Sequence, residues 1–164
     1  MTVVSNTTPL IGLAAIGRFD LLYQLFGRIY IPTAVYSEAV SSGREFGGAK
    51  REVSSASRIV LVSVQNQSGF EDTLLDLDRG EAETVMLAHE LRADWTLMDE
   101  RKGRRRLAEY GLAHIGTIGI LLKAKQLDLL ATIRPELDRL ETQGFRLSAD
   151  LRNRILHQAK EQSD

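Results

Sequence analysis

The sequence contains no cysteine, which excludes disulfides, thiolate catalysis and cysteine-held zinc or iron–sulfur centres. Lysine plus arginine (21) nearly balance aspartate plus glutamate (22), leaving a net charge of −1, which argues against a protein that coats nucleic acid in bulk. It has no apolar run long enough for a membrane span, so no membrane association is expected. Met1-Thr2-Val3-Val4-Ser5-Asn6 carries neither a basic region nor a signal-type hydrophobic segment, and is expected to be the start of the fold in a cytoplasmic protein. Only three histidines occur, His89, His114 and His157, without metal-ligand spacing.

What is present is enough apolar content, 43% of 164 residues, to bury the core of one domain. Val3-Val4, Ile29-Tyr30-Ile31, Ile59-Val60-Leu61-Val62, Trp95-Thr96-Leu97-Met98 and Ala113-His114-Ile115 read as short strands. Helices are expected between them, after Pro9, over Phe19 to Phe26, after Pro32-Thr33, over Gly47 to Ser57, after Gly80 and from Glu100 to Tyr110. Helical patterns over Gly116 to Leu127 and Ile133 to Gln143, and a last helix capped at Ser148-Ala149-Asp150, complete the chain. Alternating strands and helices imply a three-layer α/β/α sandwich with a mostly parallel central sheet and a helical C-terminal extension. The expected division is residues 1–127 for the sandwich and 128–164 for the extension. The stripe Ile133, Leu137, Leu140 suits packing on the core, on a second copy or on a partner segment.

Four positions carry the chemistry. Asn6 and Asp99 directly follow two strand-like runs, and ligands of an open parallel sheet bind beyond the carboxyl ends of its strands. Glu38 and Glu81 lie in amphipathic helices with apolar partners at Val35, Val85 and Ala88. Glu83 competes with Glu81, but points about 200° away around the helix by the 3.6-residue period. Carboxylates gathered at such an edge hold Mg²⁺ or Mn²⁺ for phosphodiester chemistry. Behind Asp99 stands the basic block Arg101, Lys102, Arg104, Arg105, Arg106, suited either to clamp phosphates or to form a solvated face. Thr7 is a candidate for orienting water or a phosphate oxygen, whereas Thr8 reads as a helix cap. Gly116-Thr117-Ile118-Gly119 lacks the lysine and spacing of a phosphate loop and reads as tight helix packing.

Val3 to Ile11, Ile31 to Glu38, Gly80 to Leu91 and Trp95 to Asp99, in that order, resemble the PIN domains, which include VapC-like ribonuclease toxins. The stretches Asp99 to Arg105 and Gly116 to Lys125 look most like a predicted-nuclease branch of that family. The resemblance implies a metal-dependent endoribonuclease with Asn6, Glu38, Glu81 and Asp99 as catalytic and metal residues, Mg²⁺ or Mn²⁺ as cofactor, and Thr7, Arg101, Arg104 and Arg105 toward RNA. It also implies a homodimer and a small antitoxin partner. Asn6 stands where the family usually has aspartate, and Arg101 where a further acid often follows, a place Glu100 could take although adjacent residues at a helix start point in different directions. Asn6 keeps an oxygen but removes a charge, worth about 4 kcal/mol per close pair at an effective dielectric near 20. The alternative is therefore a catalytically degenerate PIN scaffold that binds RNA or a partner protein without cleavage.

Overall fold

The computed structural model describes residues 1–41, 49–55, 57–66, 72 and 75–162. Its strands are β1 (Val3–Ser5), β2 (Ile29–Ile31), β3 (Ile59–Leu61), β4 (Trp95–Leu97) and β5 (His114–Ile115). They form one parallel sheet in the order β3-β2-β1-β4-β5. The chain therefore builds outward from β1 in one direction through β2 and β3. It then returns to add β4 and β5 on the other side, with Ser5 in register with Leu97. The strand order reverses between β1 and β4, and the carboxyl ends of those two strands are Ser5-Asn6 and Leu97-Met98-Asp99. That crevice is where an open parallel sheet accepts a ligand.

Helices cover both faces, so the central strands bury side chains on both sides. Successive side chains of a strand point to opposite faces. Val3, Ile29, Ile31 and Leu97 accordingly join one buried cluster, while Val4, Tyr30 and Met98 join the other. The first cluster is closed by α1 (Thr7–Ala15), α2 (Asp20–Phe26), α3 (Thr33–Ser41) and α4 (Ala49–Ser55). The second is closed by α5 (Arg79–Leu91) and α6 (Arg101–Glu109). The helix expected over Gly47 to Ser57 is present as α4; Gly47, Gly48 and Ala56 lie outside the described residues, as do Ser42 and Gly43 of the expected stop after α3.

Helices α7 (Thr117–Gln126), α8 (Arg134–Thr142) and α9 (Ala149–Gln158) return to the first face. Ile133, Leu137, Leu140 and Leu156 are fully buried in the same cluster as Val3 and Leu10. Of the three destinations open to that stripe, the core is the one it occupies. Glu136, 2% exposed, ties α8 to the loop after α1 through Arg18 at 2.8 Å, with Arg139 as its second partner. Trp95 is half-buried rather than wholly in the core, and Lys123 lies over its ring at 5.3 Å.

Candidate active site

Strand β1 passes directly into α1, so Asn6 has no loop in which to turn away. It occupies the cap position of α1, yet its side chain makes no cap hydrogen bond. The amide instead reaches across the crevice: Nδ2 donates to Glu100 Oε2 at 2.9 Å and lies 3.5 Å from Met98 Sδ. Its Oδ1 lies 3.4 Å from Thr84 Oγ1, whose hydroxyl proton goes to the Gly80 carbonyl at 2.7 Å. Thr8 does not cap the helix. Its Oγ1 donates to Glu100 Oε1 at 2.6 Å, and a hydrogen bond to an ionised acceptor outweighs a neutral cap. Both oxygens of Glu100 are thus held by side chains from the β1–α1 junction.

Asp99 leaves β4 toward β5. Thr117, the first residue of α7, grips it twice: its backbone N–H donates to Oδ1 at 2.8 Å and its Oγ1 to Oδ2 at 2.7 Å. Gly116 makes this approach possible, since a Cβ there would lie 2.7 Å from Asp99 Oδ1. Burial pushes the Asp99 carboxyl up; the Thr117 bonds oppose this, Glu100 adds to it, and the Arg104 charge lowers it. Arg104 is half-buried and donates Nε to the Met98 carbonyl at 2.7 Å, so it props the end of β4.

Helix α5 supplies the third wall. Asp78 caps it, accepting from the Glu81 N–H at 2.8 Å. Glu81 faces the crevice, and its carboxyl is pushed up to about 7 by burial first, then by Asp78 and Glu100. Glu83 turns away, as the helical period requires, but is not exposed. It is buried against α3, accepting from the Ala34 N–H at 3.1 Å and from Arg79 Nε at 2.9 Å. Glu38 of α3 accepts from Thr7 Oγ1 at 2.7 Å. Its carboxylate also packs on the start of α5, where a Cβ at Gly80 would lie 2.5 Å from Glu38 Oε1.

The fold therefore draws Asn6, Asp99 and Glu81 to one crevice, with Glu38 joined to it through Thr7. The basic block divides: Arg101 and Arg105 are exposed, Arg104 is turned inward, and Arg106 pairs with Asp76 and Glu109. Glu100, Thr84 and Thr117 belong to the site; the sequence raised Glu100 only as a stand-in for the further acid that Arg101 displaces, and did not single out the two threonines. Only Glu100 had a signal, its place directly after Asp99. The other two are brought in by pairings 78 and 18 residues apart in sequence.

These donors are carboxylate and amide oxygens, the hard ligands that suit Mg²⁺ and Mn²⁺. Among the described residues, no three histidine or acidic side chains stand close enough to form a ready metal cage. The arrangement fits an ion held by one or two carboxylates that keeps several waters, rather than one enclosed by four side chains.

Fold and site define the class: an open parallel α/β protein whose strand switch point is lined by acids and backed by a basic helix. The sequence matches the family model described as DUF3368, PIN domain, over residues 2–161, and the chain belongs to the PIN-domain family. A solved PilT N-terminus domain protein from the hyperthermophilic archaeon Sulfolobus solfataricus P2 has the same fold. It superposes with a TM-score of 0.56 at 18% identity, covering 76% of this chain and 93% of that one. A comparison with curated proteins gives no match. PIN domains are in general a nuclease superfamily that uses divalent metal ions.

Proposed function

We propose that the protein is a metal-dependent endoribonuclease that hydrolyses RNA phosphodiester bonds at the β1/β4 crevice. The observation that carries this reading is the convergence of Glu81, Asp99 and Glu100 on one strand switch point, next to a helix exposing Arg101 and Arg105. Glu81, Glu100 and Asp99 line that crevice, and one or two of these carboxylates would hold a Mg²⁺ or Mn²⁺ ion that keeps several waters. Bound in such a site, the ion lowers the pKa of a water and stabilises charge developing on the phosphate.

The chain's own residues do the rest. Thr117 fixes the orientation of Asp99. Arg101 and Arg105 attract the RNA backbone, a contribution that weakens as salt rises. The Glu81 carboxyl is pushed up to about 7 by burial and by Asp78 and Glu100, and a bound divalent cation would favour its charged form. Incubation of the purified protein with an unstructured RNA in Mn²⁺ tests the proposal. Cleavage that stops with EDTA and with Asp99→Ala is expected; cleavage unaffected by Asp99→Ala removes this site from the reaction.

A second reading is favoured by one contact, the Asn6 amide on Glu100, which occupies an acid with a neutral donor. On that reading the crevice binds RNA or a protein without cutting, and the wild-type chain shows RNA retention but no metal-dependent product. The proposal extends to a toxin role, with a homodimer and a small antitoxin as partners. Light scattering and co-purification with the product of an adjacent reading frame check both.

A further inference from the structure

We infer that the carboxylate missing at Asn6 has been relocated to Glu100, and that Asn6 and Thr8 are positioning residues that hold Glu100 in the crevice as a metal ligand. The inference rests on the nuclease reading for the site's location and deepens it. Glu100 caps α6 without capping it by its side chain, so nothing local to α6 explains where that side chain goes. Its two oxygens are instead taken by the two side chains flanking Thr7, with Asn6 at 2.9 Å and Thr8 at 2.6 Å across more than 90 residues of sequence. Asn6 is 3% exposed, and its Nδ2 donates to Glu100 while its Oδ1 lies 3.4 Å from the Thr84 hydroxyl on the other side. An aspartate at position 6 has no donor and would set a second negative charge against Glu100 at hydrogen-bond distance. The amide at 6 and the acid at 100 are therefore complementary halves of one arrangement, with one negative charge for the pair.

The chemical consequence is an exchange. The pair presents a single carboxylate to a hard divalent cation, from the α6 side of the crevice rather than from the end of β1. Each Glu100 oxygen retains a lone pair beyond the one used by its donor. Asn6 and Thr8 act as outer partners of the kind that orient a ligating carboxylate.

The test is calorimetric titration with Mn²⁺ of the wild type, Glu100→Gln, Thr8→Val, Thr8→Ser, and the double variant Asn6→Asp with Glu100→Gln. Thermal unfolding without metal accompanies each protein, and the near-isosteric Gln keeps the fold. Affinity is expected to fall more than about tenfold for Glu100→Gln, at least the loss typical of an outer-partner change. Thr8→Val weakens binding and Thr8→Ser keeps it. The double variant, which swaps acid and amide across the same hydrogen bond, returns to within about threefold of the wild type, a small free-energy difference. Unchanged affinity in Glu100→Gln, no Mn²⁺ uptake by the wild type, or a double variant as weak as Glu100→Gln overturns the exchange. RNA cleavage is scored separately. Glu100-dependent Mn²⁺ uptake without cleavage overturns the nuclease proposal and leaves the exchange standing.

Discussion

Glu81 keeps its proton up to about pH 7 in the folded chain, against 4.5 for an ordinary glutamate, because it is buried beside Asp78 and Glu100. A raised carboxyl pKa means that the native state holds more protons than the unfolded state between those two values. Stability from this group is full below 4.5 and is lost as pH rises toward 7. The part-exposed position lets solvent screen the interaction, so the loss is about 1 kcal/mol rather than the full linkage value. Glu81→Gln should remove that slope, leaving the protein unchanged at pH 5 but about 2–4 °C more stable at pH 8 in EDTA, as read by thermal unfolding. Asp99 is shifted the same way by burial, with Thr117 opposing. Thr117→Val removes one of the two donors, so the Asp99 carboxyl should rise further and the pH dependence of Mn²⁺ binding should move upward. Affinity should fall about 10–100-fold in calorimetry at neutral pH.

At the scale of elements, the junctions do most to locate the side chains. The immediate passage from β1 to α1 leaves Asn6 and Thr8 donating to Glu100 and Thr7, between them, donating to Glu38. The C-terminal helices are clasped by Glu161, which accepts from Lys125 Nζ and from the backbone N–H groups of Ile133 and Arg134. Burial alone would raise the Glu161 carboxyl, but these hydrogen bonds and the Lys125 charge hold it below the usual value. Its contribution is therefore present above the unfolded glutamate pKa and is lost as pH falls through the native one. Glu161→Ala leaves two backbone donors without this acceptor and should cost about 1–3 kcal/mol in urea unfolding.

Across the whole molecule, α8 and α9 share one apolar cluster with β1, β2 and α1, so the helices after Asp128 are part of the support of the site. Leu137→Ala, at a fully buried position, should cost about 2–5 kcal/mol, the range for such core truncations. Far-ultraviolet circular dichroism and tryptophan fluorescence from Trp95 should then lose signal in one shared transition at lower denaturant; two separated transitions would show that the cluster does not act as a unit.

The alternation of strand and helix, the burial of Val3-Val4 and Thr96-Leu97-Met98, and the emergence of Asn6 and Asp99 from strand ends were all legible in the sequence. Each follows from local periodicity: two for strands, 3.6 for helices. The turning of Glu83 away from Glu81 was legible for the same reason. The strand order was not, because it depends on which β-strands pair across the 92 to 94 residues separating the site's two halves, and no local pattern encodes that pairing. Only the tertiary structure decided that Glu100 rather than a free Asn6 faces the crevice and that Thr117 holds Asp99. It likewise decided that Thr8 serves a carboxylate instead of a helix end. Composition and periodicity specify which residues are buried and which chemistry is available. Which donor meets which acceptor is settled when β4 docks beside β1, since burying a polar group is tolerated only where a partner completes it.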